Sequence, residues 1–285
     1  MNNKEYFPIK KNARKYKFIY ICFIIYFLLV IAYCSSKTFI YLMDTYKSKK
    51  SIKDISNYIS LNTNDSEISN NIDSNIDINT DNNVKKSEEK FYCDDSNVDF
   101  KSLKEINSSV RAYLKVRGTN IEYVVTQASD NDYYLYHGFY KEENAAGWVF
   151  ADFRNKFDGT DKNIIVYGHN MKNGTMFGTL NKVLTDDWNI IKENKYIIFK
   201  TENENSIYQV FSVYEIEKES YYITTKFVDN ELSKFYDAIK SRSKFNYNIN
   251  LTKEDTILTL STCATNNKYR VVLHAKKLNI DCNDY

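Results

Sequence analysis

The chain of 285 residues is 43% hydrophobic, 27% charged and 15% aromatic, which suffices for one or two folded domains and excludes a wholly disordered chain. One proline and seven glycines exclude the collagen-like and proline-rich classes. The formal net charge is only +2, and residues 1–17 carry six basic residues against one acidic residue, so the basic excess is confined to the N-terminus. This charge distribution does not favour a nucleic-acid partner.

The first predicted element is a membrane anchor. Phe18–Cys34 is a run of 17 residues without a charge, roughly 25 Å long as a helix, and a second apolar stretch extends it to residue 43. We therefore predict a transmembrane anchor over residues 18–43, preceded by a basic cytoplasmic tail over residues 1–17, with the remainder outside the plasma membrane. A cleaved signal peptide is the alternative, but it needs small residues near the end of the run, where Tyr33 stands.

A polar segment follows the anchor. Between Asp54 and Val84 there is no Lys or Arg, there are six acidic residues, and Asn, Ser and Asp recur. Such a composition buries too little apolar surface to order itself. We therefore predict a flexible linker over residues 44–97 that gives reach to a folded domain over residues 98–285.

The five cysteines, at positions 22, 34, 93, 263 and 282, do not form a disulfide framework. Three of them lie in the exported part, which leaves an odd and potentially reactive thiol there. No C-x-x-C or clustered His/Cys spacing suggests zinc, so no metal site is predicted.

The domain after residue 98 is predicted to be mainly β with helices. Phe100 to Tyr113 carries apolar residues at near-helical spacing, with Ser102 and Glu105 as a capping box. A second helix is predicted around Leu232–Ile239, with Asp229 as its N-cap. Many strands and few helices favour a closed or nearly closed β-barrel. The predicted strands are Ile121–Gln127, Gly147–Asp152, Asn163–Gly168, Lys195–Thr201, Ser206–Glu217, Thr256–Cys263 and Tyr269–Leu278.

Three side chains in this domain suggest chemistry. Cys263 ends one predicted strand, and Arg270 begins the next after a six-residue loop, so antiparallel pairing would place both near one end. An Arg there can stabilise a thiolate or an oxyanion. His169 follows a third strand, and Cys with His is the minimal pair for nucleophilic acyl transfer.

Each motif also has a structural interpretation. A buried Cys is more often inert core, and a lone His is more often a hydrogen-bonded structural residue. His137 is interpreted as structural. His274 is given the same interpretation, because it lies four residues after Arg270 and therefore roughly 13 Å from the end of the strand that would lie near Cys263. Asp152, Arg154 and Asp158 are interpreted as a solvated loop rather than a carboxylate site.

Taken together, the motifs resemble those of the sortases, membrane-anchored cysteine transpeptidases of Gram-positive bacteria, and of their class B in particular. The resemblance covers about residues 98–280. It is carried by Thr259–Cys263 with Arg270 on the next strand, and by the segments Asp130–Leu135, Gly147–Asn155, Tyr167–Met171 and Gly174–Phe177. It implies the sortase eight-stranded β-barrel with N-terminal helices and a long helix before the Cys263 strand.

The resemblance also implies roles for single residues. Cys263 would be the nucleophile that attacks the Thr carbonyl of a C-terminal sorting motif, His169 the general acid and base, and Arg270 the oxyanion donor. The implied partners are secreted proteins with that motif and a peptidoglycan precursor or other amine; no cofactor or metal is implied. The implied substrate-binding residues are Asn131, Leu135, Tyr167, Ser261, Tyr222 and Ile223.

Three alternatives remain at this point. A hydrolytic cysteine peptidase would release a free acid, although papain-like enzymes place Cys before His in the chain, the reverse of the order here. A pilin-polymerising sortase usually carries a lid and a C-terminal membrane span, whereas Leu278–Tyr285 is polar and short. The third is a non-catalytic, anchored surface binding module.

The six-residue loop after Cys263 is shorter than in many class B members, which bears on amine specificity.

Overall fold

A single long helix, α1, runs from Ala13 to Ser56. The computed structural model describes residues 13–61, 93–94, 96–228, 231–263 and 268–280, with the backbone alone for residues 13–15, 61 and 263. Two units are distinguished, Met1–Tyr46 and Lys47–Tyr285. In the first unit the large apolar side chains of α1 are exposed, and the stretch from Tyr16 onward is long and apolar enough to cross a membrane.

The second unit begins with the last turns of α1. Ser51 and Ile55 are buried there, and the Asn144 side-chain amide donates a hydrogen bond of 3.0 Å to the Ser48 hydroxyl. The helix therefore continues past the predicted anchor, and the described ends of the predicted 44–97 linker are helix and strand. The remainder of that linker, residues 62–92 and 95, lies outside the described residues.

Two short strands follow the helix in the structure. Strand β1 (Ile59–Leu61) pairs antiparallel with β2 (Ser96–Val98). Helix α2 (Phe100–Ile106) comes next, and its N-cap is Asp99, whose carboxylate accepts the Ser102 amide at 3.0 Å. The predicted capping box, which begins at Ser102, is therefore wrong, because the N-cap lies three residues earlier, at Asp99.

Eight strands close a barrel, which confirms the predicted fold. The barrel strands are β3 (Val110–Val116), β4 (Ile121–Thr126), β5 (Phe150–Ala151), β6 (Asn163–Tyr167), β7 (Tyr196–Thr201), β8 (Asn205–Glu217), β9 (Ile257–Cys263) and β10 (Tyr269–Lys277). Their order around the barrel is β10-β8-β7-β3-β4-β5-β6-β9. The apolar spacing predicts that Val110 and Tyr113 continue helix α2, which is wrong because α2 ends at Ile106 and both residues belong to β3.

Alternate residues of strand β10 pack into two separate hydrophobic clusters. Val271 and Leu273 of β10 belong to the large cluster, whereas Val272, between them, belongs to a smaller one. The smaller cluster includes Phe235 and Ile239, which face the sheet from helix α5 (Glu231–Ser241). The predicted helix is thus confirmed, and its predicted N-cap, Asp229, lies outside the described residues.

Short helices occupy the connections. They are α3 (Tyr133–Tyr136), α4 (Asp186–Ile190) and 3-10 turns at Leu180–Leu184, Glu193–Lys195 and Tyr221–Ile223. Among the described cysteines, Cys22 and Cys34 are free, whereas Cys93 is disulfide-bonded, a bond that the cysteine spacing did not predict.

Candidate active site

Strand pairing brings the predicted chemical residues to one edge of the barrel. Strand β6 runs parallel to β9, with Tyr167 opposite Ser261. His169 and Cys263 each lie two residues beyond this pair, His169 just after β6 and Cys263 at the end of β9. Strand β10 runs antiparallel to β9, with Arg270 opposite Cys263. The antiparallel pairing of β9 with β10, which the six-residue loop predicts, is therefore confirmed.

A cavity of about 260 Å³ opens at this edge. His169 and Arg270 both line it. So do all six predicted substrate-binding residues: Asn131, Leu135, Tyr167, Ser261, Tyr222 and Ile223. The sequence analysis did not single out Phe150, Lys218, Glu219 and Thr262, which complete the wall together with Gly168.

The His169 ring is oriented by a main-chain group. Its Nε2 lies 2.9 Å from the Leu135 carbonyl oxygen. A carbonyl only accepts, so Nε2 carries the proton and Nδ1 is the basic nitrogen of the neutral ring. The turn is tight here: a Cβ on Gly168 would lie 2.7 Å from the Phe177 ring, so a larger residue would displace the ring or the strand end.

One wall of the cavity is the 3-10 turn Tyr221–Ile223. The Tyr222 side chain is buried, and its hydroxyl lies 3.0 Å from the Ser261 hydroxyl. This hydrogen bond ties the turn to β9, two residues before Cys263.

The cavity-lining side chains of Asn131 and Tyr167, here called the cavity floor, are hydrogen-bonded to a buried carboxylate that does not itself line the cavity. Asp152 has no exposed surface, and both its oxygens are occupied by the Arg154 fork at 2.7 Å each. The Tyr167 hydroxyl donates to Asp152 at 2.8 Å, and the Asn131 amide donates at 3.0 Å. The interpretation of Asp152 as part of a solvated loop is therefore wrong, because its carboxylate is buried and two of its partners, Asn131 and Tyr167, are cavity-lining residues distant in sequence.

The charges of this group are set by the same contacts. Burial raises the pKa of the Asp152 carboxyl, but hydrogen bonds from Arg154, Tyr167 and Asn131 outweigh burial and leave the pKa below its ordinary value. Burial, together with the Asp152 charge, raises the pKa of Tyr167. At neutral pH the carboxylate is therefore ionised and the phenol is protonated, as the hydrogen bond between them requires.

The other two histidines, both within the described residues, are not among the cavity-lining side chains. His274 is fully buried between the Tyr214 and Thr259 hydroxyls, at 2.8 Å from each. Burial, with the charge of Arg242 adding to it, lowers the pKa of His274 to about 3. His137 stacks on Tyr133, and its Nδ1 contacts the Tyr133 carbonyl oxygen at 2.8 Å.

No group of His, Cys, Asp and Glu side chains within the described part of the chain is arranged to hold a metal ion. What the cavity offers is an imidazole and a guanidinium beside the strand end that carries Cys263. This set fits acyl transfer by a thiol nucleophile with an acid–base partner and an oxyanion donor.

Comparisons of the sequence and of the structure with known proteins both find sortases. Residues 114–278 match the Sortase domain family. Sortase B of Listeria monocytogenes is 35% identical over 182 residues, which cover 62% of this chain and 73% of the relative. The X-ray structure of Clostridium perfringens sortase B is similar with a TM-score of 0.59 and 38% identity, over 63% of this chain and 99% of that one. A Staphylococcus aureus sortase B–substrate complex matches with a TM-score of 0.59 and 34% identity, over 64% and 85%.

Proposed function

This chain belongs to class B of the sortase family, and we propose that Cys263, His169 and Arg270 are its catalytic residues. A sortase is a cysteine transpeptidase: it cleaves a C-terminal sorting motif after Thr through a thioacyl intermediate and joins the protein to a cell-wall amine. The observation that supports the residue roles is the single cavity that His169 and Arg270 line, beside the strand end of Cys263.

The first half-reaction forms the thioester. The Cys263 thiolate attacks the Thr carbonyl carbon, a C–S bond forms, and the carbonyl electron pair moves to oxygen. When the C–N bond breaks, the His169 imidazolium gives its Nδ1 proton to the leaving amine. The Nε2–H group remains hydrogen-bonded to the Leu135 carbonyl throughout.

The second half-reaction reverses these transfers. The incoming amine loses a proton to the neutral Nδ1 of His169, attacks the thioester carbon, and expels the Cys263 thiolate. A new amide bond forms as the C–S bond breaks, and the enzyme returns to its starting protonation state.

Arg270 serves both half-reactions. Its guanidinium is positively charged throughout and offers several N–H donors in a fixed plane. Cross-strand pairing places it beside Cys263, where the carbonyl oxygen becomes an oxyanion in each tetrahedral intermediate.

The remaining cavity residues form the groove for the sorting peptide. Leu135 and Ile223 give apolar contact, and Asn131, Tyr167, Tyr222 and Ser261 supply polar groups. The Staphylococcus aureus sortase B structure is a complex with substrate, and it supports a peptide in the corresponding groove of this chain.

The apolar helix fits the membrane anchor of a sortase, and its orientation is part of the proposal. Residues 1–17 carry the basic excess, so they lie in the cytoplasm and the barrel lies outside the plasma membrane. There the enzyme meets exported clients and a peptidoglycan precursor as the amine. Protease treatment of intact cells tests this orientation: an N-terminal tag should survive while a C-terminal tag is removed.

The roles are tested with the full chain in detergent. The probes are a peptide library with one fixed Thr and randomised flanks, and triglycine as the amine. We expect a thioester-linked acyl group on Cys263 by mass spectrometry, its absence in Cys263→Ala, and an amide product with triglycine. Product that is entirely free acid at saturating triglycine would instead identify a hydrolytic peptidase.

A further inference from the structure

The 3-10 turn that walls the cavity is fastened through its main chain. Arg154 Nη2 donates to the Ile223 carbonyl at 2.9 Å. The Asn163 amide donates to the carbonyls on either side, those of Tyr222 at 3.3 Å and Thr224 at 3.0 Å. Two side chains thus hold three consecutive carbonyls.

The side chains of Asn163 and Arg154 differ in the contacts that support them. Asn163 is fully buried in β6 and accepts the Thr259 hydroxyl at 2.6 Å, so it belongs to the barrel wall. Arg154 is half-buried on the connection after β5, and its position depends on the Asp152 carboxylate. The Arg154 contact is therefore the one that joins the wall to the cavity floor.

The same carboxylate also fixes the floor. Asp152 accepts hydrogen bonds from Asn131 and Tyr167, which line the cavity together with Tyr222 and Ile223 of the turn. One ion pair, between a buried carboxylate and a half-buried guanidinium, therefore connects three segments that are far apart in sequence. A change in its geometry alters the distance between the floor and Ile223.

We propose that the Asp152–Arg154 ion pair is a positioning and specificity-determining element of the sortase groove, which sets the spacing between the cavity floor (Asn131 and Tyr167) and Ile223. The proposal depends on the proposed function, because it assigns the sorting peptide to this groove. Neither residue touches the reacting atoms, so their effect falls on peptide recognition rather than on the acyl transfer steps.

The planar fork of Arg154 is what the role requires. A guanidinium reaches the two carboxylate oxygens and the Ile223 carbonyl together, because its donors are spread over one plane. An ammonium keeps the charge opposite Asp152 but is a single point, so it cannot span both partners. Arg154→Lys therefore removes the hydrogen bond to the Ile223 carbonyl but keeps a positive charge beside the Asp152 carboxylate.

The experiment compares wild type, Arg154→Lys and Arg117→Lys as the full chain in detergent, with the best library peptide and triglycine. Arg117 is a matched control: like Arg154 it does not itself line the cavity, but its guanidinium contacts the Cys93 carbonyl instead of the Ile223 carbonyl. For Arg154→Lys we expect KM for the peptide to rise about tenfold with kcat within twofold of wild type. Amide hydrogen exchange at residues 221–224 should accelerate, while exchange in β9 stays unchanged.

The outcomes separate the two proposals. Thioester formation on wild-type Cys263 is measured first and decides the residue roles independently of Arg154. An unchanged KM in Arg154→Lys, a loss confined to kcat, or an equal KM rise in Arg117→Lys would each overturn the positioning role. The expected KM rise with local loss of protection at residues 221–224 supports it, and a general loss of folding stability does not produce that combination.

Discussion

Arg270 on β10 lies directly opposite Cys263 on β9, as a cross-strand pair in antiparallel register. Side chains of such a pair leave the same face of a sheet with Cβ atoms about 5 Å apart. The register continues through Val272 opposite Ser261 and His274 opposite Thr259, where a side-chain hydrogen bond joins the two residues. The main-chain positions of residues 263 and 270 are therefore fixed against each other by the β9–β10 pairing.

This pairing predicts a sharp effect for Arg270→Lys. Lysine keeps the charge but loses the planar fork, so the oxyanion loses directed hydrogen bonds. We expect kcat to fall about 10²- to 10³-fold, with the melting temperature within about 2 °C of wild type. Steady-state transpeptidation and thermal denaturation measure the two quantities, and near-normal turnover would remove Arg270 from the mechanism.

His169→Gln is expected to impair both half-reactions. Glutamine can still donate to the Leu135 carbonyl, so the local turn is preserved, but it cannot transfer a proton at the position of Nδ1. We expect thioester formation and its resolution by triglycine each to slow about 10²- to 10⁴-fold. Rapid-quench mass spectrometry follows the two steps separately, and a loss of amine transfer alone would contradict a shared acid–base role.

The buried His274 predicts acid sensitivity of the fold. Its pKa is about 3 in the folded state and about 6.5 when unfolded, so between these values the unfolded chain binds the proton and the folded chain does not. Stability should therefore fall as the pH falls below 6.5, by at most about 1.4 kcal/mol per pH unit from this residue. The Asp152 carboxyl, whose pKa lies below its ordinary 3.8, contributes only at lower pH.

The matched variant is His274→Gln, which retains a donor and an acceptor for Tyr214 and Thr259 without titrating. Urea unfolding at pH 7.5, 6.5, 5.5 and 4.5 gives the slope of stability against pH for each protein. The variant should be less stable at pH 7.5 but should show a flatter slope below pH 6.5. Parallel curves for the two proteins would show that His274 is not the titrating group.

The sequence predicted most of the barrel because its strands are separated by clear turn signals and end in recognisable motifs. The prediction failed at β3, where Val110 and Tyr113 continue the apolar spacing of α2; the chain leaves the helix at Asn107, whose side chain is instead buried against Tyr134 and the Phe139 carbonyl. Short apolar runs cannot be assigned to helix or strand from spacing alone.

The cavity was predictable where single residues carry the chemistry and not where the fold brings partners together. Cys263, His169 and Arg270 stand out by residue type and by their place at strand ends. Asp152 does not, because two of the partners that hold it as a buried ion, Asn131 and Tyr167, come close to it only after the barrel closes. A charged residue next to a turn has the same local pattern whether it is solvated or buried.

The pairing of β1 with β2 leads to a last prediction, on the polar segment that the sequence predicts to give reach. Leu61 and Ser96 are cross-strand partners, so the strand residues on either side of the segment lie next to each other. Replacing residues 62–92 by a four-residue Gly/Ser turn should preserve transpeptidation and, by shortening the closed loop, leave stability unchanged or higher by about 1–2 kcal/mol. Surface anchoring of clients in cells should also persist, because the reach of the barrel is unaltered. Ser60→Pro in the same background serves as control, since proline has no backbone N–H and disfavours the pairing of β1 with β2. Loss of anchoring in cells with full activity of the purified variant would show that the segment supplies reach after all.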